Sequence, residues 1–369
     1  MCDIHTVSTI ETSAELGHRI REARLARELS QAELADRLGL DRSALVRIEG
    51  GERKVTALEL LHLGEILGVP VAHFVHRSPA SMTSRRAALD EESQKSERRR
   101  FSIDALLEAH LRDAESLRGY GRLSVVGRLP SAKVKDSEDA RRLAQQVRAF
   151  IDHAAGPLPA MAEVGELAGL YLLVIDAEGD GASLTPEPGF GVAVIGGQAP
   201  SGRRRFTAAH ELGHHVLGDE YQSDIGVAAS RSERERLIDA FAGELLLPLA
   251  DLQRRWAGLA GSTWERLIRI ACEYRVSWAV AVRAAHCADL ISKAEAGRLQ
   301  SRTPQRGDFL AVVGSSPEED LEIGTTGPRW RQAVLRAYSA AMITRPRAVE
   351  MLHGALTEDE FPPMAEPEP

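Results

Sequence analysis

The run His210-Glu211-Leu212-Gly213-His214 has the residue types and spacing for hydrolytic metal chemistry. Histidines four apart on a helix share one face, where both imidazoles can bind one Zn²⁺. Glu211 points to the adjacent side, within reach of a water that such a metal acidifies. Its carboxylate can take that water's proton and later pass it to a leaving amine. Zinc hydrolases of this kind need one further carboxylate and leave a fourth position to water. Downstream, Glu235 and Asp239 lie one helical turn apart, with Leu237, Ile238, Phe241 and Ala242 at helical spacing around them. One carboxylate can ligate the metal while the other accepts the N–H of a ligating histidine. Glu233 competes as a ligand, but it sits about 200° around the helix from that face.

These residues need elements to hold them. The unbroken apolar run Leu170–Ile175 reads as a buried strand, and Gly191–Ile195 as a second one closed by Gly196 and Gly197. Residues 268–286 read as two helices that break at Val276-Ser277, with Ser277 as an N-cap. Few basic residues lie there, so packing rather than DNA contact is its expected role. A domain start near Ser137 follows from the helical periodicity of DARRLAQQVRAFIDHA.

RRRFTAAHELGHHVLG followed by ExxxDAFAGELLLP resembles the ImmA/IrrE family of metallopeptidases. Arg203, Arg205, Phe206, Thr207, Ala209 and His210–His214 match the family's first block; Glu235, Phe241, Ala242, Leu245, Leu246 and Pro248 match its second. The resemblance implies zinc ligands at His210, His214 and Glu235, with Glu211 as general base. Asp239 stands where the family usually carries Asn, which keeps support for a ligating histidine, as in thermolysin-like enzymes. Leu247 replaces the usual Met at similar volume. The resemblance also implies that the strand Gly191–Ile195 is an exposed sheet edge beside the metal helix, to which an extended peptide can add, whereas its residues alone read equally well as a plain core strand. No group that stabilises an oxyanion besides the metal is assigned; Tyr221 is a candidate.

A second signature occupies residues 16–74. Ser30 caps a helix that turns Leu34, Ala35 and Leu38 inward, Gly39 makes a turn, and Arg42–Glu49 form the next helix with Leu45 and Ile48 buried. Two short helices joined by a Gly turn form the helix-turn-helix pattern. It resembles the Cro/CI-type repressor domain through Ser30, Gln31, Leu34, Ala35, Gly39, Ser43, Glu49 and Gly50. In that docking mode Arg42, Ser43 and Arg47 are the expected readers of base edges, and Gln31 lies near the backbone or a base. Arg53 and Lys54 are placed for phosphate contact. Asp41, Glu49 and Glu52 dilute the local positive charge, so weak affinity per monomer is expected.

The chain has 369 residues and a net charge of −8, so any DNA contact must be local. Three unclustered cysteines, Cys2, Cys272 and Cys287, point to a reducing compartment and away from a thiolate metal site. The start shows no signal pattern, and no apolar run approaches membrane-spanning length, so a cytoplasmic, nucleoid-associated protein is expected.

The fold class expected is multi-domain: an all-α helix-turn-helix domain, then an α+β zincin-like metallopeptidase domain and a helical C-terminal region. Expected boundaries are 14–77 for the DNA-binding domain, 78–100 for a polar linker and 101–136 for a helical connector. The peptidase follows at 137–260, the helix-turn-helix-like segment at 261–300, and the C-terminal region at 301–369. That last region should hold two amphipathic helices split near Thr344 and a disordered acidic tail.

The function expected is a DNA-binding zinc endopeptidase whose partners are double-stranded DNA and a protein substrate, a repressor or antitoxin-like regulator. A homodimer is left open. The alternative is a transcriptional regulator whose peptidase fold senses a metal or ligand without proteolysis.

Overall fold

The computed structural model describes residues 9–77, 95–179, 181–218 and 228–362. The chain divides into two compact units, Met1–Asp113 and Ala114–Pro369.

The first unit begins with helices α1 (Ser13–Ala26), α2 (Gln31–Arg37), α3 (Arg42–Glu49), α4 (Ala57–Leu67) and α5 (Val71–Val75). Three of them start the same way. Thr12, Ser30 and Thr56 each accept the N–H of a Glu three residues on, and that Glu reaches back to the cap backbone. Gly39, at φ +66°, takes the left-handed turn between α2 and α3 that a side chain would strain. Ile20, Leu34, Leu45, Ile48, Leu63 and Phe74 share one apolar core. Inside it, Arg24 Nε donates to Glu49 Oε1 at 2.6 Å and Nη2 to Oε2 at 3.1 Å, tying α1 to α3. Helix α6 (Lys95–Gly119) starts within the stretch expected to be a linker, and its Phe101 and Ala105 join this core. The rest of that stretch, 78–94, lies outside the described residues.

In the second unit, α7 (Ser137–Phe150) is capped by Asp136, which accepts from the N–H groups of Glu138 and Asp139. After α8 (Met161–Leu167) come strands β1 (Leu170–Ile175), β2 (Gly181–Glu187) and β3 (Phe190–Gly196), in sheet order β1-β3-β2. β1 runs parallel to β3, with Leu170 opposite Gly191; β2 runs antiparallel to it, with Ser183 opposite Ala193. Gly169, at φ +82°, enters the sheet where a Cβ would lie 2.1 Å from the Gly189 carbonyl oxygen.

This order corrects one expectation. β3 is the central strand, buried along its whole length, and the edge beside the metal helix is β2. An unbroken apolar run fits a strand covered on both faces, the core-strand reading that the residues of β3 left open.

Helix α9 (Ser201–Leu217) packs on β2 and β3, α10 (Ala228–Leu246) packs on α9, and α7 packs on α10. Then follow α11 (Leu249–Gly258), α12 (Thr263–Glu273) and α13 (Trp278–Cys287), the last capped by Ser277. Helices α14 (Lys293–Gln300), α15 (Arg306–Val313), α16 (Pro328–Ser339) and α17 (Arg345–Met351) complete the unit.

The C-terminal region is built into the sheet. Val174 N–H donates to the Thr325 carbonyl at 3.1 Å and Gly324 N–H to the Val174 carbonyl at 2.9 Å, covering the outer edge of β1. Buried Glu166 accepts the N–H groups of Arg329 and Trp330, capping α16 from another element. Burial raises the Glu166 pKa, and those two N–H groups counter it. Of the expected tail, residues 363–369 lie outside the described residues. Glu358–Glu360 form a single 3₁₀ turn, and Phe361 packs edge-on against Tyr338.

Candidate metal centre and nucleic-acid face

Helix α9 carries both histidines. Its Gly213 lies where a Cβ would approach Ile238 and Phe241 of α10 to 3.0 and 3.1 Å, so the missing side chain lets α10 come close. Ile238 and Phe241 are themselves fully buried. With that face of α10 fixed inward, Glu235 and Asp239 are carried to the histidines.

The ligand atoms converge. His210 Nε2 lies 3.2 Å from His214 Nε2 and 3.2 Å from Glu235 Oε2, and His214 Nε2 lies 3.9 Å from the same oxygen. Four-coordinate zinc, with bonds of about 2.0–2.2 Å, sets its ligand atoms roughly 3.3–3.5 Å apart. The donor set therefore fits such an ion in size and in type. The exposed Glu233 is not part of the cluster.

Asp239 Oδ1 lies 3.1 Å from His210 Nδ1, so the other ring nitrogen faces the cluster. Burial opposes a charged His210 ring, yet Asp239, Glu235 and Glu211 together push its pKa up to about 10. The surroundings of this ring favour positive charge, which a bound cation also supplies.

Glu211 is nearly buried, and Ser183 Oγ of β2 donates to its Oε2 at 2.5 Å. Two residues along β2, on the same face, Thr185 Oγ1 lies 2.8 Å from His215 Nδ1. His215 Nε2 lies 3.1 Å from the Ala168 carbonyl, so Nε2 carries the proton and the threonine hydroxyl donates to Nδ1. Burial lowers the pKa of His215 to about 4. A neutral, fully bonded His215 thus pins β2 against α9, directly after His214.

Ser183, Thr185 and His215 line this site and were missed by sequence reasoning. Pro186, Pro188 and the flanking glycines argued against a strand there. The available signal was the alternation of apolar Ala182 and Leu184 with polar Ser183 and Thr185. Tyr221 lies outside the described residues.

In the first unit, Gln31 and Arg42 line a concave surface of about 680 Å³ together with Arg21, Ser30, Val46 and Gly50. Arg42, Ser43, Arg47 and Lys54 are exposed. Gln31 Nε2 donates to Glu49 Oε2 at 2.9 Å, and Arg53 is held by Glu59 at 2.7 Å, so these two side chains already have internal partners. Arg21 was not foreseen; it is an exposed cation on α1 that reaches the same concavity.

Residues 173–286 match the family model of the IrrE N-terminal-like domain, Peptidase_M78, and residues 15–76 match that of a helix-turn-helix domain. No curated protein matches the chain. The matched spans contain the histidine pair with Glu235 and the α2–α3 pair respectively. The chain thus joins a helix-turn-helix domain to an IrrE N-terminal-like domain of the Peptidase_M78 family.

Proposed function

We propose that this protein is a zinc-dependent endopeptidase carrying its own DNA-binding domain, and that it cleaves a repressor or antitoxin-like regulator to control transcription. The observation that carries the reading is the convergence of His210, His214 and Glu235 beside the carboxylate of Glu211. The two matched domains support its coarser form, a DNA-binding regulator with a peptidase-like domain.

Zinc held by His210, His214 and Glu235 would supply Lewis-acid chemistry, acidifying water and polarising the scissile carbonyl. The chain's own residues do the rest. Glu211 takes the proton of the attacking water on its carboxylate and returns it to the leaving amine. Ser183 donates to Oε2 of that carboxylate and so restricts its rotation. Asp239 holds the His210 ring by Nδ1. β2 pairs only with β3 among the described residues, so its outer backbone groups can take an extended peptide as a further strand. Glu211, bonded to this edge strand, directly follows His210 on α9.

The helix-turn-helix unit would bring this chemistry to DNA, with Arg42, Ser43 and Arg47 at base edges and Lys54 at phosphate. Among the described residues no helix is long and apolar enough to cross a membrane. A cytoplasmic place at the nucleoid follows from the DNA-binding domain.

Incubating the zinc-loaded protein with each regulator encoded beside it tests the proposal. One should be cut at a defined bond, and a chelator should stop the cutting. Intact candidates throughout, with zinc bound, would count against it.

A further inference from the structure

Behind the metal cluster lies a cavity of 220 Å³ between α7, α9, α10 and α13. Asp239, which orients His210, forms part of its wall. Arg141, Arg236 and Arg283 line it from three different helices. Arg141 pairs only loosely with exposed Glu138, at 3.6 Å. Arg236 has no hydrogen bond or ion pair among the described residues. Arg283 stands 3.8 Å from Asp239 Oδ2 and 5.6 Å from the centre of the Phe206 ring.

The two carboxylates in the wall are already engaged. Asp239 serves His210. Glu244 accepts from Gln145 Nε2 at 2.8 Å and from the Leu249 N–H at 3.2 Å, and burial pushes its pKa up. Three guanidiniums against two carboxylates leave the wall with one formal positive charge in excess. Leu247 and Val280 add an apolar surface.

Gly243 is the second, independent observation. It sits inside α10, where Gly costs about 1 kcal/mol relative to Ala. Its φ is not positive, and a Cβ built there meets nothing within 4 Å. Neither backbone strain nor close packing calls for this glycine, and it faces the cavity. The helix gives up stability at a position where a side chain would extend into the space.

We propose that this cavity binds a carboxylate carried on a short apolar stem, held by Arg236 and Arg283. The volume is below the roughly 300 Å³ of small-molecule sites, so it suits a group the size of one side chain. Such a group could come from an acidic residue of a polypeptide substrate or from a free small acid. In the first case the cavity is a specificity subsite, a conclusion that rests on the peptidase reading above. In both cases the ligand meets Arg283 where that residue faces Asp239, one hydrogen bond from His210.

The zinc-loaded full chain is titrated calorimetrically with N-acetylglutamate α-amide, whose only carboxylate is the side chain, and with its neutral analogue N-acetylglutamine α-amide, and in parallel is given a mixed peptide library. N-acetylglutamate α-amide should bind at least tenfold more tightly than the analogue. Gly243→Leu, which fills the cavity with a better helix former, should weaken that binding at least tenfold with zinc content unchanged. Arg236→Gln, an exposed change, should do the same if the first variant folds poorly. Enrichment of Glu or Asp at one position beside the cut bonds, lost in Gly243→Leu, assigns the carboxylate to the substrate. Binding without such enrichment assigns it to a free acid. Equal binding of both probes, or binding that Gly243→Leu and Arg236→Gln leave intact, overturns the proposal. A library left uncut counts against the peptidase reading alone, because the titration still decides the cavity.

Discussion

Ser183 Oγ, on the edge strand, donates to Glu211 Oε2, on the metal helix, at 2.5 Å. The contact joins the edge strand proposed to take a peptide to the carboxylate proposed as the base. A hydrogen bond to a charged group contributes about 1.5–3 kcal/mol. Ser183→Ala is therefore expected to slow peptide cleavage by about tenfold or more. Zinc content should be unchanged, because Ser183 is not one of the residues placed to hold the metal; steady-state kinetics and elemental analysis on the same sample check both halves.

Much of this site was legible in the chain. Helical spacing puts His210 with His214, and Glu235 with Asp239, on shared faces, since residues four apart must share one; which carboxylate ligates, and the role of Glu211, came from the resemblance. The α2–α3 pair was equally open, because Ser30 marks its start and Gly39 its turn. β2 was hidden, because its prolines and glycines mimic a loop and its pairing with β3 is a tertiary fact. The edge was assigned to β3 by resemblance, although its burial pattern called for a central strand. The clamp of the C-terminal region on β1 could not be read, since Gly324 and Thr325 pair through backbone atoms and leave no side-chain signature.

Arg205 and Asp320 form a buried ion pair that fastens the start of the metal helix to the C-terminal region. Asp320 Oδ2 also accepts the Met161 N–H at 3.0 Å. Burial lowers the pKa of Arg205 to about 10, and Asp320 counters it. Asp320→Ala leaves a buried guanidinium without its carboxylate and should cost about 3–5 kcal/mol. The double variant Arg205→Leu with Asp320→Leu should recover part of that loss. Chemical denaturation of the three proteins gives the comparison.

His215 sets a pH dependence of stability. Its folded pKa of about 4 lies below the unfolded value of 6.5, so the unfolded chain binds the extra proton as pH falls. Stability from this group is full above about pH 6.5 and declines until about pH 4. Between pH 7 and pH 5 the loss should be about 2 kcal/mol. His215→Gln does not titrate and should show a shallower decline over that window, measured by urea unfolding of the zinc-loaded proteins.

Arg42 and Lys54 should separate specificity from affinity. Both are exposed, but Arg42 opens the second helix of the pair whereas Lys54 follows it. Arg42→Ala should relax discrimination between duplexes by about 1–3 kcal/mol. Lys54→Ala should weaken all duplexes alike and lower the salt dependence of binding by about one counterion. Fluorescence anisotropy at several salt concentrations reads both effects.

The most direct test of the central claim is the cleavage rate of Glu211→Gln beside its zinc content. The amide keeps the size of the carboxylate and can still bond to Ser183, but it cannot take a proton. Zinc should stay at the wild-type level, while hydrolysis falls by at least about a hundredfold. Cleavage undiminished in Glu211→Gln, with zinc bound, would contradict the assignment of the base and favour a regulator that uses the metal without the chemistry.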